Sequence, residues 1–344
     1  MNNKSQLVKK FILDNIENHA DNIAALLSEE FGFTRQGSNF YLSKEVKAGT
    51  LFKIGNTRST KYFLSGGDHI EFKINITKNL SEDTVWSKYI KPMVLQYPSN
   101  IREICFYGFT EIFNNAIDHS SGTSIYVTVS KDKKNNKLDI RIMDNGIGIF
   151  KKIKTALGLE SIRESILHLS KGKFTTDPKN HSGEGIFFTS RIFDRFSILS
   201  DDVYYAFEKN DWCLSSEKQE EFGNGTFISM EISLDSKKTP KEIMDQYTDQ
   251  EIGFGKTKVA VALSADPNDP HISRSQGKRL MMGLEKFSTV FLDFEGVISI
   301  GQAFVDQVFR VWKNEHPNTA IHTINTNQSV QAMIDRGKNI DPKK

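Results

Sequence analysis

The sequence predicts a multidomain protein that combines α+β and α/β units. Residues 5 to 64 show apolar residues at helical spacing and then two short strand-like runs. Residues 69 to 232 mix helical patterns with runs that alternate at period two. Residues 258 to 324 alternate strand and helix, which is typical of a small α/β unit. A chain of 344 residues has room for two or three such domains.

The composition is that of a soluble globular protein. The net charge is +2, with 26% charged and 38% hydrophobic residues. Cys105, in an apolar helical run, and Cys213, in a polar loop, are too few for a disulfide framework or a metal cluster. No apolar run approaches the roughly 18 residues of a membrane span, and the polar start lacks a signal-peptide core. We therefore expect a cytoplasmic protein without membrane contact.

The N-terminal segment predicts three helices and a hairpin. Helices are expected at 5–16, 20–31 and 35–46, and Thr34 is a candidate N-cap for the third. Strands at 50–54 and 61–64 follow and flank a polar, basic turn.

This order resembles a winged helix-turn-helix, which we assign to residues 1–66. The resemblance implies that the third helix enters the major groove of duplex DNA and that the hairpin lies along the backbone. The candidate phosphate contacts are Arg35, Lys44, Lys53, Arg58 and Lys61, and the candidate base readers are Gln36, Ser38 and Asn39. The clustering of basic residues in the helix and the turn favours DNA. The alternative is a module for protein contact or dimerisation.

The centre of the chain predicts an amphipathic helix. A helix at 83–96 ends before Pro98, and a longer one starts at Asn100. On the longer helix, Glu111, Asn115 and Asp118 share one side, and apolar residues occupy the other. Taken alone, this pattern fits a core helix with a solvated polar face.

A hairpin and a glycine segment follow that helix. Its strands are expected at 124–129 and 138–143, and the second runs into Asp144. Gly146 and Gly148 allow the backbone to turn sharply and a flat ligand to approach without a Cβ in the way.

A helix with a carboxylate and an amide one turn apart, a hairpin and then Asp-x-Gly-x-Gly together resemble the ATP-binding domain of the GHKL superfamily. That superfamily includes gyrase, Hsp90, histidine kinases and MutL, and the resemblance covers residues 67–235. It implies an α/β-sandwich ATPase fold with ATP and Mg²⁺ as cofactors. By this resemblance, Glu111 activates water, Asn115 binds Mg²⁺ and Asp144 accepts from the adenine amino group. An amide oxygen suits Mg²⁺, which mostly keeps water and phosphate ligands.

The same resemblance extends along the chain. The polar stretch with Lys171, Lys173 and Lys179 corresponds to a lid over the triphosphate. Gly183 and Gly185 open a predicted helix at 186–195, whose N-terminal amides would face phosphate. Thr226 starts the last of the strands expected at 197–199, 204–208 and 226–232. It would bond near the adenine, or it is an ordinary strand residue. No P-loop motif occurs, which excludes that route to ATP.

The C-terminal part predicts a linker at 236–255 and a small α/β domain at 256–344. Strands are expected at 258–263, 289–294 and 320–324, with helices at 273–285 and 301–312. This order resembles the STAS domain of anti-sigma-factor antagonists, and more closely a STAS-like domain (DUF4325) fused to such ATPases. Ser299 lies near the antagonists' phosphorylated serine but not on it. We therefore expect it to be a turn or helix-capping residue.

Together these resemblances imply an ATP-binding transcriptional regulator, in which Mg-ATP binding or hydrolysis controls the winged helix. The alternative is a serine/threonine kinase of the anti-sigma type, or a hydrolysing ATPase acting in a stress or phage-defence response. The expected partners are a nucleotide, duplex DNA, a protein bound through the STAS-like domain, and a second copy of the chain.

Overall fold

A computed structural model of the protein describes residues 3–55, 60–175, 182–201, 203–208, 211–215, 225–249, 253–265 and 271–338. Two residues singled out from the sequence, Arg58 and Lys179, lie outside these ranges. Within the described ranges, no helix has both the length and the apolar character needed to cross a membrane.

The N-terminal unit contains the three predicted helices and the two strands. They are α1 (Asn3–Asn15), α2 (Ile23–Phe31), α3 (Arg35–Lys47), β1 (Leu51–Ile54) and β2 (Lys61–Leu64). The Thr34 hydroxyl accepts a hydrogen bond from Gly37 N at 3.2 Å and caps α3, as predicted. The helices enclose a small core of their own, which includes Val8, Ile12, Leu27 and Leu42.

The β1–β2 hairpin joins this unit to the rest of the protein. The two strands are antiparallel, and the rings of Phe52 and Phe63 stack with centroids 5.6 Å apart. Both rings belong to the main hydrophobic core rather than to the core of the three helices. Gly66 N also donates to Pro92 O at 2.8 Å. One face of the hairpin is therefore packed against the central domain.

The central domain is built on a seven-stranded antiparallel sheet with the order β3-β4-β5-β9-β6-β7-β8. Its strands are β3 (His69–Asn75), β4 (Ser124–Asp132), β5 (Lys137–Asp144), β6 (Arg195–Ser200), β7 (Val203–Glu208), β8 (Asp211–Ser215) and β9 (Thr226–Ser233). Cys213 therefore lies in strand β8, and the expectation of a polar loop was wrong. Cys105 is buried in the long helix, as its apolar surroundings suggested.

The helix predicted at 83–96 is interrupted by a π-helical turn. It comprises α4 (Glu82–Val85), the π turn Trp86–Ile90 and α5 (Lys91–Val94). Pro92 has no N–H to donate, so the regular hydrogen-bond ladder cannot continue through this turn. The next helix, α6 (Ser99–His119), buries Phe109 and Phe113, whose rings stack 5.1 Å apart.

The interval between the two glycine segments contains two helices that the sequence pattern did not predict. They are α7 (Ile149–Leu157) and α8 (Ile162–Lys171). The next helix, α9 (Gly185–Ile192), ends three residues before the predicted end, because Phe193 is already extended and Arg195 starts strand β6. Asp194 fixes this change of direction by accepting from Ser233 N at 2.8 Å.

The predicted linker at 236–255 is ordered in its described residues. It forms α10 (Pro240–Tyr247), β10 (Thr248–Asp249) and β11 (Gly253–Phe254). Thr239 and Glu242 form a capping box at the start of α10. Tyr247 and Phe254 pack their rings against Phe187, with centroids 5.0 and 4.7 Å apart. A polar sequence therefore carries two aromatic anchors.

The C-terminal unit is a parallel sheet with helices, in the strand order β12-β14-β16. In chain order its elements are β12 (Lys256–Ala260), β13 (His271–Ile272), α11 (Arg274–Met281), β14 (Thr289–Asp293), β15 (Ser299–Ile300), α12 (Gln302–Val305), α13 (Lys313–Glu315), β16 (Ala320–Ile324) and α14 (Gln328–Lys338). A π-helical turn, Asp306–Trp312, joins α12 to α13.

Several boundaries of this unit differ from prediction, and β13, β15 and α14 were not predicted. Strand β12 ends at Ala260, because Val261–Ser264 form a 3-10 turn. Helix α11 ends at Met281, ahead of Gly283, whose φ of 84° stops a right-handed helix. The helix predicted at 301–312 continues to Glu315.

We predict that Thr239→Ala destabilises α10, because it removes the side chain that caps the first turn. The expected loss is about 1 kcal/mol of local stability. Hydrogen exchange at the amides of residues 241–247 measures it directly. Lys241→Ala, an exposed change in the same helix, is the control. Equal exchange in all three proteins would contradict the assigned capping box.

Candidate functional site

The glycine segments and the polar face of α6 surround one cavity of about 130 Å³. The sequence-predicted residues that line it are Glu111, Asn115, Asp144, Gly148, Gly183, Gly185 and Thr226. Gly146 is not among the residues that line the cavity. A Cβ there would overlap the carbonyl oxygen of Ser120, so only glycine allows this close backbone approach.

Asp144 is held at the cavity by strand pairing. It ends β5 directly opposite Thr226, the first residue of β9. Its Oδ1 accepts hydrogen bonds from Gly146 N at 2.8 Å and Thr226 N at 3.4 Å. The residue is 6% exposed, and burial raises the pKa of its carboxyl above the usual range. The site thus presents a fixed, buried hydrogen-bond acceptor.

Thr226 also organises the start of α7. Its hydroxyl oxygen accepts from Ile149 N at 3.0 Å, which satisfies one of the free amides at that helix end. The preceding residue, Gly148, has a φ of +83°, and a Cβ there would lie 2.7 Å from Ser200 Oγ. Thr226 is therefore more than an ordinary strand residue, since its side chain fixes the turn after Asp144.

Glu111 and Asn115 lie one turn apart on α6, and both face the cavity. The Glu111 carboxylate lies against the start of α9, because a Cβ at Gly185 would overlap Glu111 Oε2. Gly183 has a φ of +74° and backs onto the main chain of Phe174. This wall of the cavity therefore combines a carboxylate, an amide and a close-packed glycine backbone.

Three further residues build the site and were missed from the sequence. Asn145 Oδ1 accepts from Thr123 N at 2.8 Å and Ser124 N at 3.0 Å, which ties the glycine segment to β4. These bonds reach backbone 21 and 22 residues away in the chain, so no local sequence pattern could have indicated them. Phe174 supplies an aromatic wall.

Lys152 is the third, and it is the one lysine or arginine among the described lining residues. Its Nζ donates to His119 O at 2.6 Å, and burial lowers the pKa of the ammonium. Because α7 was not predicted, the face on which Lys152 lies could not be assigned from sequence.

These residues fit a nucleotide with a magnesium ion. An acceptor carboxylate selects an amine, and glycine backbone allows a flat base to approach. The described residues contain no cluster of three or more His, Cys, Asp or Glu side chains that could hold a metal. The amide oxygen of Asn115 would be the protein ligand of Mg²⁺, with phosphate and water as the other ligands.

Four of the five candidate DNA contacts on α3 lie on the surface. Arg35, Gln36, Asn39 and Lys44 are all exposed. Ser38 is buried, with its hydroxyl 2.9 Å from that of Ser28, so its prediction as a base reader was wrong.

The remaining basic candidates lie in or beside the hairpin. Lys53 is exposed, and Lys61 pairs with Glu71 at 3.5 Å. Arg58 lies outside the described residues.

Ser299 has neither of its predicted roles. It lies in the short strand β15 opposite His271, and the helix after it is capped by Gly301. A capping residue occupies the position directly before the first residue of a helix. In α12 that position is Gly301, so Ser299 lies two residues too early in the chain.

We predict a pH-dependent effect of Asp144→Asn on the free energy of unfolding. Relative to the wild type, the variant should be more stable at pH 7 than it is at pH 4. Because the folded-state pKa of Asp144 is raised, the native protein holds that proton more tightly than the unfolded chain. The ionised carboxylate therefore costs stability once the pH exceeds the folded pKa. Melting temperatures of both proteins at the two pH values measure the difference.

Asp132→Asn is the control of opposite sign. Hydrogen bonds from Asn135 lower the pKa of Asp132, so its carboxylate contributes stability that is lost as the pH falls. The same direction of change in both variants would contradict the buried state of Asp144.

Comparison with known proteins supports two of the three units. Residues 105–236 match the family model described as Histidine kinase-, DNA gyrase B-, and HSP90-like ATPase. Residues 276–331 match a STAS-like domain of unknown function (DUF4325). No curated protein matches the chain. The cavity lies within the first match, and the chain therefore contains a GHKL-type ATPase domain followed by a STAS-like domain, as the sequence predicted.

Proposed function

We propose that this protein is a regulator in which Mg-ATP in the central domain controls DNA binding by the N-terminal unit. One observation carries the proposal. A single cavity, inside the segment that matches the ATPase family, is lined by the buried acceptor Asp144, by glycine backbone, and by Glu111 and Asn115.

In this proposal each side chain has a distinct task. Asp144 would accept a hydrogen bond from the exocyclic amine of adenine, and Thr226 would hold the turn beside it. Asn115 would hold Mg²⁺ through its amide oxygen. The backbone N–H groups that open α9 would face the phosphates, because a helix N-terminus attracts anions. When bound, ATP supplies a transferable phosphoryl group.

Glu111 supports a second candidate, hydrolysis or phosphoryl transfer to a protein. Its carboxylate lies against the first residue of α9, next to the phosphate site that we propose. There it would take a proton from an attacking water or hydroxyl. A hydrolysing ATPase and a serine/threonine kinase of the anti-sigma type use the same carboxylate and differ in the acceptor.

A chain of packed rings supports control of the N-terminal unit. Phe113, on the helix that carries Asn115, stacks on Phe109, and Phe109 lies 5.8 Å from Trp86 between ring centroids. Trp86 begins the π-helical turn, and the β1–β2 hairpin packs on that turn. A nucleotide-dependent shift of α6 would therefore reach the hairpin through contiguous packing.

The exposed side of α3 supports DNA as the ligand of that unit. Arg35 and Lys44 would contact phosphates, and Gln36 and Asn39 would contact base edges in the major groove. Arg58, which lies outside the described residues, remains a candidate phosphate contact from the sequence alone. We further propose a winged-helix arrangement for this unit.

We predict that Asp144→Asn weakens ATP binding about tenfold to a hundredfold, because a charged hydrogen bond in a buried site is worth about 1.5–3 kcal/mol. Asn115→Ala should weaken binding only when Mg²⁺ is present. Calorimetry with and without Mg²⁺ measures both. Unchanged affinity in a folded Asp144→Asn protein would remove Asp144 from the site.

We predict that Glu111→Ala binds Mg-ATP nearly as the wild type does, while turnover falls by about 10² to 10⁴. The assay follows γ-labelled ATP and asks whether the label appears as free phosphate, on protein or nowhere. Free phosphate identifies an ATPase and labelled protein identifies a kinase. Wild-type protein without turnover would leave Glu111 a structural residue and favour a nucleotide switch.

We predict two kinds of DNA-binding defect in the N-terminal unit. Arg35→Ala should weaken binding to all sequences and flatten the salt dependence by about one unit. Asn39→Ala should cost about 1–3 kcal/mol on a preferred site and little on random DNA. Gel shifts of the full chain at several salt concentrations, with and without Mg-ATP, measure both.

Lys78→Ala, an exposed lysine of the central domain, is the matched charge control. Absence of binding by wild-type protein at low salt would rule out the DNA proposal. Binding that does not respond to Mg-ATP would break its link to the nucleotide.

A further inference from the structure

We propose that the C-terminal STAS-like unit completes the nucleotide site from behind, with Lys171 acting as the positioning residue. Lys171 joins α8 to the STAS-like unit and orients Phe174, three residues later in the cavity wall. Docking of this unit and binding of Mg-ATP then favour each other. The inference rests on the proposed function, because it concerns the same cavity.

Lys171 is a charged residue with 2% exposure, and its partners lie in the C-terminal unit. Its Nζ donates to Met282 O at 2.8 Å and to Arg279 O at 3.1 Å, at the end of α11. A cation at a helix C-terminus is stabilised by the helix dipole. Its own carbonyl accepts from the hydroxyl of Thr257, in β12, at 2.7 Å.

Burial of this ammonium has a cost. Removal of the charged group from water lowers the pKa of Lys171 from an ordinary value of 10.5 to about 7. A methionine of similar length would fill the same space without that cost. The lysine instead donates two hydrogen bonds to the C-terminal unit, and these fix how that unit lies against α8. Lys171 therefore acts by positioning the two units.

The next two residues are also held by tertiary contacts, Gly172 by packing against two rings and Lys173 by contacts with the C-terminal unit. Gly172 has a φ of +79°, and a Cβ there would lie 2.8 Å from Phe254 Cζ and 2.9 Å from Phe187 Cδ2. Lys173 Nζ donates to Lys286 O at 3.0 Å and lies 4.8 Å from the centre of the Phe287 ring. The chain therefore enters the cavity wall at Phe174 directly from three anchored residues.

A second wall residue has a parallel connection. Phe187, on α9, lines the cavity and packs on Phe254, and Phe254 packs on Phe287 with centroids 5.3 Å apart. Phe174 in turn supports Gly183, because the main chain of Phe174 occupies the space that a Cβ of Gly183 would need. Two sides of the cavity are thus connected to the C-terminal unit, the Phe174 side through Lys171 and Lys173 and the Phe187 side through Phe254.

The physical consequence is a reciprocal coupling. If docking of the C-terminal unit orders Phe174 and Phe187, then a ligand that requires ordered walls must stabilise the docked arrangement by the same free energy. Loss of the Lys171 contacts should therefore raise the dissociation constant of Mg-ATP, although Lys171 itself does not line the cavity.

The test uses the full chain and two different breaks in the same junction. Lys171→Met removes the ammonium, and Thr257→Val removes the hydroxyl with little change of shape. Thr257→Ser, which keeps the hydroxyl, is the matched control. Ile334→Ala, in the buried side of α14, destabilises the same unit without touching the junction. Calorimetry measures Mg-ATP affinity, and thermal melts confirm that each variant folds.

We predict that Lys171→Met and Thr257→Val each weaken Mg-ATP binding about fivefold or more, the lower end of usual coupling between sites. Thr257→Ser and Ile334→Ala should bind within about twofold of the wild type. Reciprocally, Mg-ATP should slow amide hydrogen exchange at residues 282–288 of the wild type, and not in Thr257→Val.

Three results would overturn the inference. Folded Lys171→Met or Thr257→Val protein that binds as tightly as the wild type would show that the junction does not act on the site. An equal loss in Ile334→Ala would show that affinity follows general stability. A wild-type protein that binds no Mg-ATP would overturn the proposed function and this inference together, which distinguishes that case from the other two.

Discussion

The pairing of strand β5 with strand β9 is the constraint on which the candidate site depends. It places Asp144 opposite Thr226, although 82 residues of chain separate them. If either strand slipped by one residue, its own side chain at this position would turn to the other face of the sheet. Because Ile140 and Ile142 of β5 and Ile228 and Met230 of β9 are buried, the hydrophobic core fixes this register. Buried apolar residues therefore determine where the polar side chains of the site lie.

The cavity is connected by packing to both flanking units. The α6 helix supplies Glu111 and Asn115 from one side and carries the ring stack that leads to the hairpin on the other. The segment from Lys171, the last residue of α8, to Phe174 contacts the C-terminal unit at its start and lines the cavity at its end. A small change in the shape of this cavity would displace both the hairpin and the interface with the C-terminal unit, because closely packed interiors transmit displacement.

Polar sequence was a poor guide to exposure in this protein. Lys171 and Lys173 fall in a polar stretch that was expected to correspond to a lid over the triphosphate, yet Lys171 is buried between two units. Residues 236–255 read as a linker, yet Tyr247 and Phe254 anchor it to α9. In both cases the residues are held by backbone carbonyls or aromatic rings from distant parts of the chain. A local sequence pattern cannot predict such contacts.

The sequence by itself determined the site's components and the order of its units. Glu111, Asn115, Asp144 and the two glycine pairs could be named because the order of helix, hairpin and glycine segment resembles a known superfamily, and because helical spacing and the demand for glycine are local properties. Tertiary structure alone decided what surrounds them: the support of Asn145, the ammonium of Lys152 and the junction at Lys171. These depend on contacts between residues far apart in the chain, and such contacts form only when the sheet register and the packing of the units are set.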